Sequence, residues 1–117
     1  MKYLVNAFSL NMMKELSDVT VTLHIKKLSA EEFCREISTN AITNAIGHAS
    51  TVNVINTLCG ASLSTNRIEV KLQDGDELIL FQVRKRLEEG KVLSADEVRQ
   101  LILSNLVEFL EVKVKMQ

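Results

Sequence analysis

The tetrapeptide Gly47-His48-Ala49-Ser50 places one of only two histidines immediately before a segment in which Val52, Ile55, Leu58 and Cys59 recur at helical spacing up to Gly60. At a helix N-terminus the first N–H groups lack intrahelical partners and the dipole is positive, so anions are attracted there. A phosphate held at that point would lie beside an imidazole, which can protonate a departing oxygen near neutral pH. This is a phosphodiesterase geometry, and Gly47 would let the backbone approach the ligand closely. Ser50 reads as the N-cap and Gly60 as the C-terminal stop. The same four residues serve equally well as a structural turn.

A second cluster, Arg84, Lys85, Arg86 and Lys91 around Glu88 and Glu89, has cations for phosphates and carboxylates to orient an imidazole. It reads equally as a solvated connection, and so does Arg67 at the start of an alternating run. No glycine-rich phosphate loop, GxSxG elbow, HExxH or DxDxDG pattern occurs, so metal-free chemistry is favoured by elimination and no cofactor is expected. Cys34 and Cys59 form no CxxC pair and have no histidine at ligand spacing. They read as separate buried thiols rather than a zinc site or a disulfide, which points to a reducing, cytoplasmic compartment. His24 reads as a solvent-facing strand histidine.

These groups need a scaffold, and 117 residues suffice for one domain with one core. Lys2–Phe8 reads as a first strand. Val19, Val21, Leu23 and Ile25 alternate with polar residues as the inward side of a second. Ser29-Ala30-Glu31-Glu32 and Ser94-Ala95-Asp96-Glu97 match the capping box and start two further helices, the first running to about Ser38. Arg67–Leu72 and Glu77–Val83, joined by Gln73-Asp74-Gly75-Asp76, read as a hairpin. A last strand from Val107 to Val114 puts Leu110, Val112, Val114 and Met116 on one side. The expected fold is α/β, a single domain over 1–117 with a mixed five-stranded sheet flanked by helices.

Composition narrows the partners. A net charge of −1 and an aromatic share of 4% disfavour a protein that coats long nucleic acid or stacks many bases. No apolar run reaches the roughly 18 residues that span a bilayer, and no secretory leader pattern is visible.

Five separated blocks carry a resemblance: Leu4–Met12, Asn44–Thr51, Asn56–Gly60, Asn66–Lys71 and Arg86–Lys91. In order and over nearly the whole chain they resemble the small viral and bacterial ring nucleases typified by the type III anti-CRISPR proteins of archaeal viruses. The resemblance implies a symmetric homodimer that binds cyclic tetra-adenylate, the second messenger of type III CRISPR defence, across its subunit interface. It further implies metal-independent cleavage to linear di-adenylate with 2′,3′-cyclic phosphate, which silences the defence effectors in the host cytoplasm. His48 corresponds to the family's catalytic histidine and Glu89 to its supporting carboxylate. Ser9, Asn11, Ser50, Arg67, Gln82 and Arg86 fall in or beside matching blocks as substrate-binding candidates.

The expected chemistry is attack by a ribose 2′-OH on its own 3′ phosphate, with His48 as general acid toward the departing 5′ oxygen. Arg67 and Arg86 would clamp phosphate, and Glu89 would keep the imidazole protonated or oriented. A twofold dimer presents each group twice to a ring of matching symmetry. The chain departs from the family at Ala49, where an aspartate often follows the histidine. That departure leaves open a second reading, a sponge that binds the messenger without cutting it, and a third is an accessory binding factor with the fold alone.

Overall fold

The computed structural model describes residues 1–13, 19–39, 41–84, 87 and 92–117. Among them lie five strands, β1 (Lys2–Val5), β2 (Val21–Leu28), β3 (Ile42–Asn44), β4 (Glu77–Val83) and β5 (Val107–Met116). Three helices accompany them, α1 (Ala30–Ile37), α2 (Ala49–Cys59) and α3 (Ala95–Leu103). The strands form one sheet in the order β2-β5-β4-β1-β3. β1 runs parallel to β3 and β4, whereas β5 is antiparallel to β4 and β2. The chain is therefore α/β with a mixed five-stranded sheet, as its patterning predicts.

The two capping boxes form as expected. Ser29 and Ser94 each accept the N3 amide while Glu32 and Glu97 reach back to the cap N–H. That exchange satisfies two orphan donors per helix start. At Glu32 these hydrogen bonds from Ser29 hold the carboxyl below the usual glutamate range. α2 ends where Gly60 turns to φ +64°, a left-handed conformation that glycine adopts without a Cβ clash.

All three helices pack on one face of the sheet. Phe33, Ile37, Val52, Val54, Ile55, Val98 and Leu101 meet Leu4, Ile79, Phe81 and Phe109 there. At the centre Phe33 lies 4.9 Å from Phe109 and 5.7 Å from Phe81, ring centroid to ring centroid. Each such buried ring contributes roughly 1.5–3 kcal/mol by removing apolar surface from water. At the margin Lys2 reaches Glu36 at 2.8 Å, tying β1 to the end of α1, and that hydrogen bond holds the ammonium pKa above its ordinary value.

The opposite face carries no α-helix among the described residues. Val5, Leu78, Leu80, Val112 and Val114 are covered there by Met13, Val70 and Leu72. Arg67–Leu72 is not the first arm of a hairpin, which corrects the expectation from its alternation. Both edges of β4 are occupied, by β1 and β5, so no ladder position is left for that segment. Its Val70 and Leu72 are buried against the sheet, and Leu72 makes an isolated bridge to Met13, outside the five strands. The predicted turn does form, with Gly75 at φ +85° and the Asp76 carboxylate accepting from the Gln73 amide at 2.9 Å. The fifth strand is instead β3, three residues long and too short to show a period.

Two further expectations change. Ile25 shares its side of β2 with the half-buried Val21 and Leu23 but is 61% exposed, on an edge strand of the sheet. Cys34 and Cys59 are joined in a disulfide, not separate thiols, with Cα atoms 5.2 Å apart. α1 and α2 share one face of the sheet, which brings together two residues that are 25 apart in the chain. The reducing compartment inferred from unpaired cysteines thus loses its footing.

Candidate functional site

Parallel pairing aims the carboxyl ends of β1, β3 and β4 in one direction, and in open α/β sheets that end is where ligands bind. The expected residues follow or end these strands. Ser9 and Asn11 come after β1, His48 and Ser50 after β3, and Gln82 lies near the end of β4.

His48, not Ser50, is the N-cap of α2, which corrects the sequence expectation. Its backbone is extended at φ −105° and ψ 115°, and its Nδ1 accepts the Thr51 amide at 3.4 Å, with Thr51 Oγ1 at 3.1 Å. An amide N–H can only donate, so Nδ1 is the acceptor in that contact. Ser50 is the second residue of the helix and 1% exposed, so it meets solvent hardly at all. Thr51, which the sequence reading did not single out, is 5% exposed. The available signal was its spacing of three from the capping residue, the usual reach of a cap to N3.

Arg67 arrives at the same turn from a different part of the chain. Its Nε donates to the Gly47 carbonyl at 3.0 Å. A Cβ built on Gly47 would stand 2.2 Å from Arg67 Cγ, so the arginine crosses a space that only glycine leaves open. Three asparagines hold this crossing. Asn66 donates its amide N–H to Ile46 O and its side chain to Asn44 O, at 2.8 and 2.7 Å. Asn44 donates to Ser64 O at 2.7 Å and accepts from the Ile46 amide at 3.0 Å. Asn56, within α2, exchanges two bonds with Leu63 at 2.8 and 2.9 Å. The loop after α2 is thereby sewn to the turn before it.

Four residues beyond Arg67, Lys71 Nζ donates to Asn11 O at 3.2 Å. Four extended steps span at most about 14 Å, so the cation beside His48 and the Ser9–Asn11 turn sit at two ends of one short segment. Ser9 caps a 3-10 turn at Leu10–Met12 and accepts the Asn11 amide at 3.2 Å. Gln82 is exposed and stands opposite Glu108 on β5, sharing the loop-covered side of the sheet with Val5 and Leu80. Arg84 pairs with Glu108 just beyond. The structure thus brings Arg67 to the turn that carries His48, through the Gly47 carbonyl, and sets Ser9, Asn11 and Gln82 on neighbouring strand ends. Glu89 and Arg86, with Lys85, Glu88 and Lys91 of the charge cluster, lie outside the described residues. Among the described residues no group of three or more His, Cys, Asp or Glu is placed to hold a metal ion. No described helix is long and apolar enough to cross a membrane.

Similar proteins come from viruses of archaea. A protein of Acidianus filamentous virus 1, ORF116, is 42% identical over 99 residues, covering 85% of this chain and 83% of its own. A protein of Sulfolobus islandicus filamentous virus is 32% identical over 80 residues, 68% of each chain. Among solved structures, B116 of Sulfolobus turreted icosahedral virus superposes with a TM-score of 0.83 at 44% identity, over 95% of this chain and 97% of that one. The family model described as STIV B116-like matches residues 2–115, and on this match the chain belongs to the STIV B116-like family.

Proposed function

We propose that the protein is a metal-independent ring nuclease that opens cyclic tetra-adenylate in the host cytoplasm and so switches off type III CRISPR effectors. The observation that carries this reading is that Arg67 is held on the Gly47 carbonyl, one residue before the helix-capping His48, in the loops beyond the carboxyl ends of the parallel strands. The ribose 2′-oxygen forms a bond to its adjacent phosphorus as the bond from phosphorus to the 5′-oxygen breaks. The phosphorane charge falls to Arg67, with Arg86 as a second clamp, and the departing 5′-oxygen takes a proton from the His48 Nε2 side. Two such cuts yield linear di-adenylates ending in 2′,3′-cyclic phosphate. Glu89 is the carboxylate assigned to orient the imidazole, and Ser9, Asn11 and Gln82 are the remaining ligand contacts, while Ser50 is buried within α2.

A homodimer with the ring across its interface supplies two copies of each group. Chromatography of products after mixing the protein with rings of four and six adenylates in excess EDTA tests the proposal. Linear di-adenylate from the four-membered ring is the expected result. Loss of cleavage on chelation, restored by a divalent ion, overturns the metal-free mechanism.

One observation favours the second reading, a sponge. Nδ1 of His48 is engaged as the cap of α2, so a ring protonated on both nitrogens must release that hydrogen bond before acting as a full acid. Excess ring incubated with a trace of protein separates the two, since many turnovers per protomer exclude sequestration.

A further inference from the structure

We propose that Asp74-Gly75 is a site of spontaneous isoaspartate formation that the end of β5 holds closed. The proposal is independent of the nuclease reading. This is the chain's one Asp-Gly pair, and Asn-Gly, which reacts by the same route, does not occur. Both residues are exposed in the turn before β4, where Gly75 sits at φ +85°. Glycine suits that conformation because it has no Cβ, and the same lack leaves its amide nitrogen open to the side chain before it.

The reaction needs no partner but water. Gly75 N bonds to Asp74 Cγ, and one carboxyl oxygen leaves as water with the amide hydrogen and a solvent proton. Water then cleaves the imide at the main-chain carbonyl carbon of Asp74, so the backbone runs on through Cγ and no atom is gained or lost overall. In the fold both reacting groups are engaged by β5. Gly75 N–H donates to Val114 O at 2.9 Å, and Asp74 Oδ1 accepts the Met116 amide at 2.8 Å. The nitrogen must give up its hydrogen bond, and the carboxyl must turn away from Met116, before the two can meet. The extra backbone carbon of the product falls inside a turn closed by Asp76 N–H on Gln73 O at 3.1 Å and Gln73 N–H on the Asp76 carboxylate at 2.9 Å. Isomerisation therefore undoes the turn that seats β5.

Incubation of the full chain at neutral pH, below its melting temperature, tests the proposal. Mass spectrometry reads the product after digestion by a protease that cuts before aspartate but not before isoaspartate. Two hydrogen bonds of ordinary net strength should make the folded chain react at Asp74 about thirtyfold more slowly than chain unfolded in guanidinium chloride. Thr20 and Gln117 exchange their bonds on the β2 side, so alternation aims the Met116 N–H away from that ladder. Met116→Pro thus deletes the donor to Asp74 and should speed the folded reaction about fivefold. Should that variant not fold, exchange of the Gly75 amide in the wild type takes its place. Exchange and isomerisation should then rise together as denaturant is added below the unfolding transition. No isoaspartate at Asp74 in the unfolded chain overturns the proposal, and so do equal rates in folded and unfolded chain. A folded proline variant that reacts no faster overturns it as well, as does isomerisation that proceeds while the Gly75 amide stays protected.

Discussion

The helix-covered face and the turn around His48 are held together by different physics. On the helix side, Phe33, Phe81 and Phe109 interlock, the Cys34–Cys59 disulfide ties α1 to α2, and the cohesion comes from buried apolar area. Around His48 the cohesion comes from hydrogen bonds between asparagine side chains and backbone, with one arginine laid across a glycine. Apolar packing is non-directional and tolerates repacking. Hydrogen bonds fix position to a few tenths of an ångström, which a proton donor beside a phosphate requires. The molecule thus separates the region that keeps it folded from the region that holds the proposed reacting groups.

Substitutions on each side should therefore have separable effects. The largest is expected at His48→Asn. Asparagine caps helices well, so α2 and the melting temperature should be preserved, while loss of the imidazole should lower kcat about 10²- to 10⁴-fold, read from product chromatography. Binding of cyclic tetra-adenylate, measured by calorimetry, should stay within a few-fold. A large fall in melting temperature would show that the two regions are not separable at this residue.

On the other side, Phe33→Ala should cost about 3–5 kcal/mol of stability in urea unfolding, because it leaves a cavity against two other rings. At temperatures where the variant remains folded, its ring affinity should match the wild type. Cys34→Ser opens the link between α1 and α2 and should cost about 3 kcal/mol, the chain entropy that a loop of this length regains when unfolded. The same urea titration checks it, and an effect under about 1 kcal/mol would remove the disulfide from the stability argument.

The smallest stability change should come at Gly47→Ala, where the new Cβ meets the flexible stem of Arg67 rather than backbone. The arginine can swing outward, so stability should change by less than about 1 kcal/mol while ring affinity falls about tenfold, the loss of one charge-assisted contact. If Gly47→Ala instead unfolds the protein and spares affinity, the contrast between the regions is reversed.

Much of the scaffold was legible along the chain because its signals are local. Ser29 and Ser94 announce α1 and α3 through a spacing of three to a glutamate. The alternation of Leu110, Val112, Val114 and Met116 places β5 and its apolar side. Gly60 marks the end of α2, and the position of His48 just before that helix follows from the apolar period behind it. The homologous blocks added the expected roles of His48, Arg67 and their companions, which no spacing in this chain could supply.

Other features depend on neighbours that lie far off in sequence. Arg67–Leu72 has the alternation of a strand yet joins no ladder, since the partner it would need already has both edges taken. β3 exists because three residues happen to lie beside β1, and Cys34 finds Cys59 because two helices cover the same face. The cap of α2 falls on His48 rather than Ser50 because an imidazole nitrogen reaches the Thr51 amide while the serine is buried. Periodicity and capping are decided within a turn or two of chain, so sequence alone determined them. Pairing partners, the disulfide and the hold of Arg67 on the histidine turn are decided by which surfaces meet once the chain has closed on itself, and only the tertiary structure could settle those.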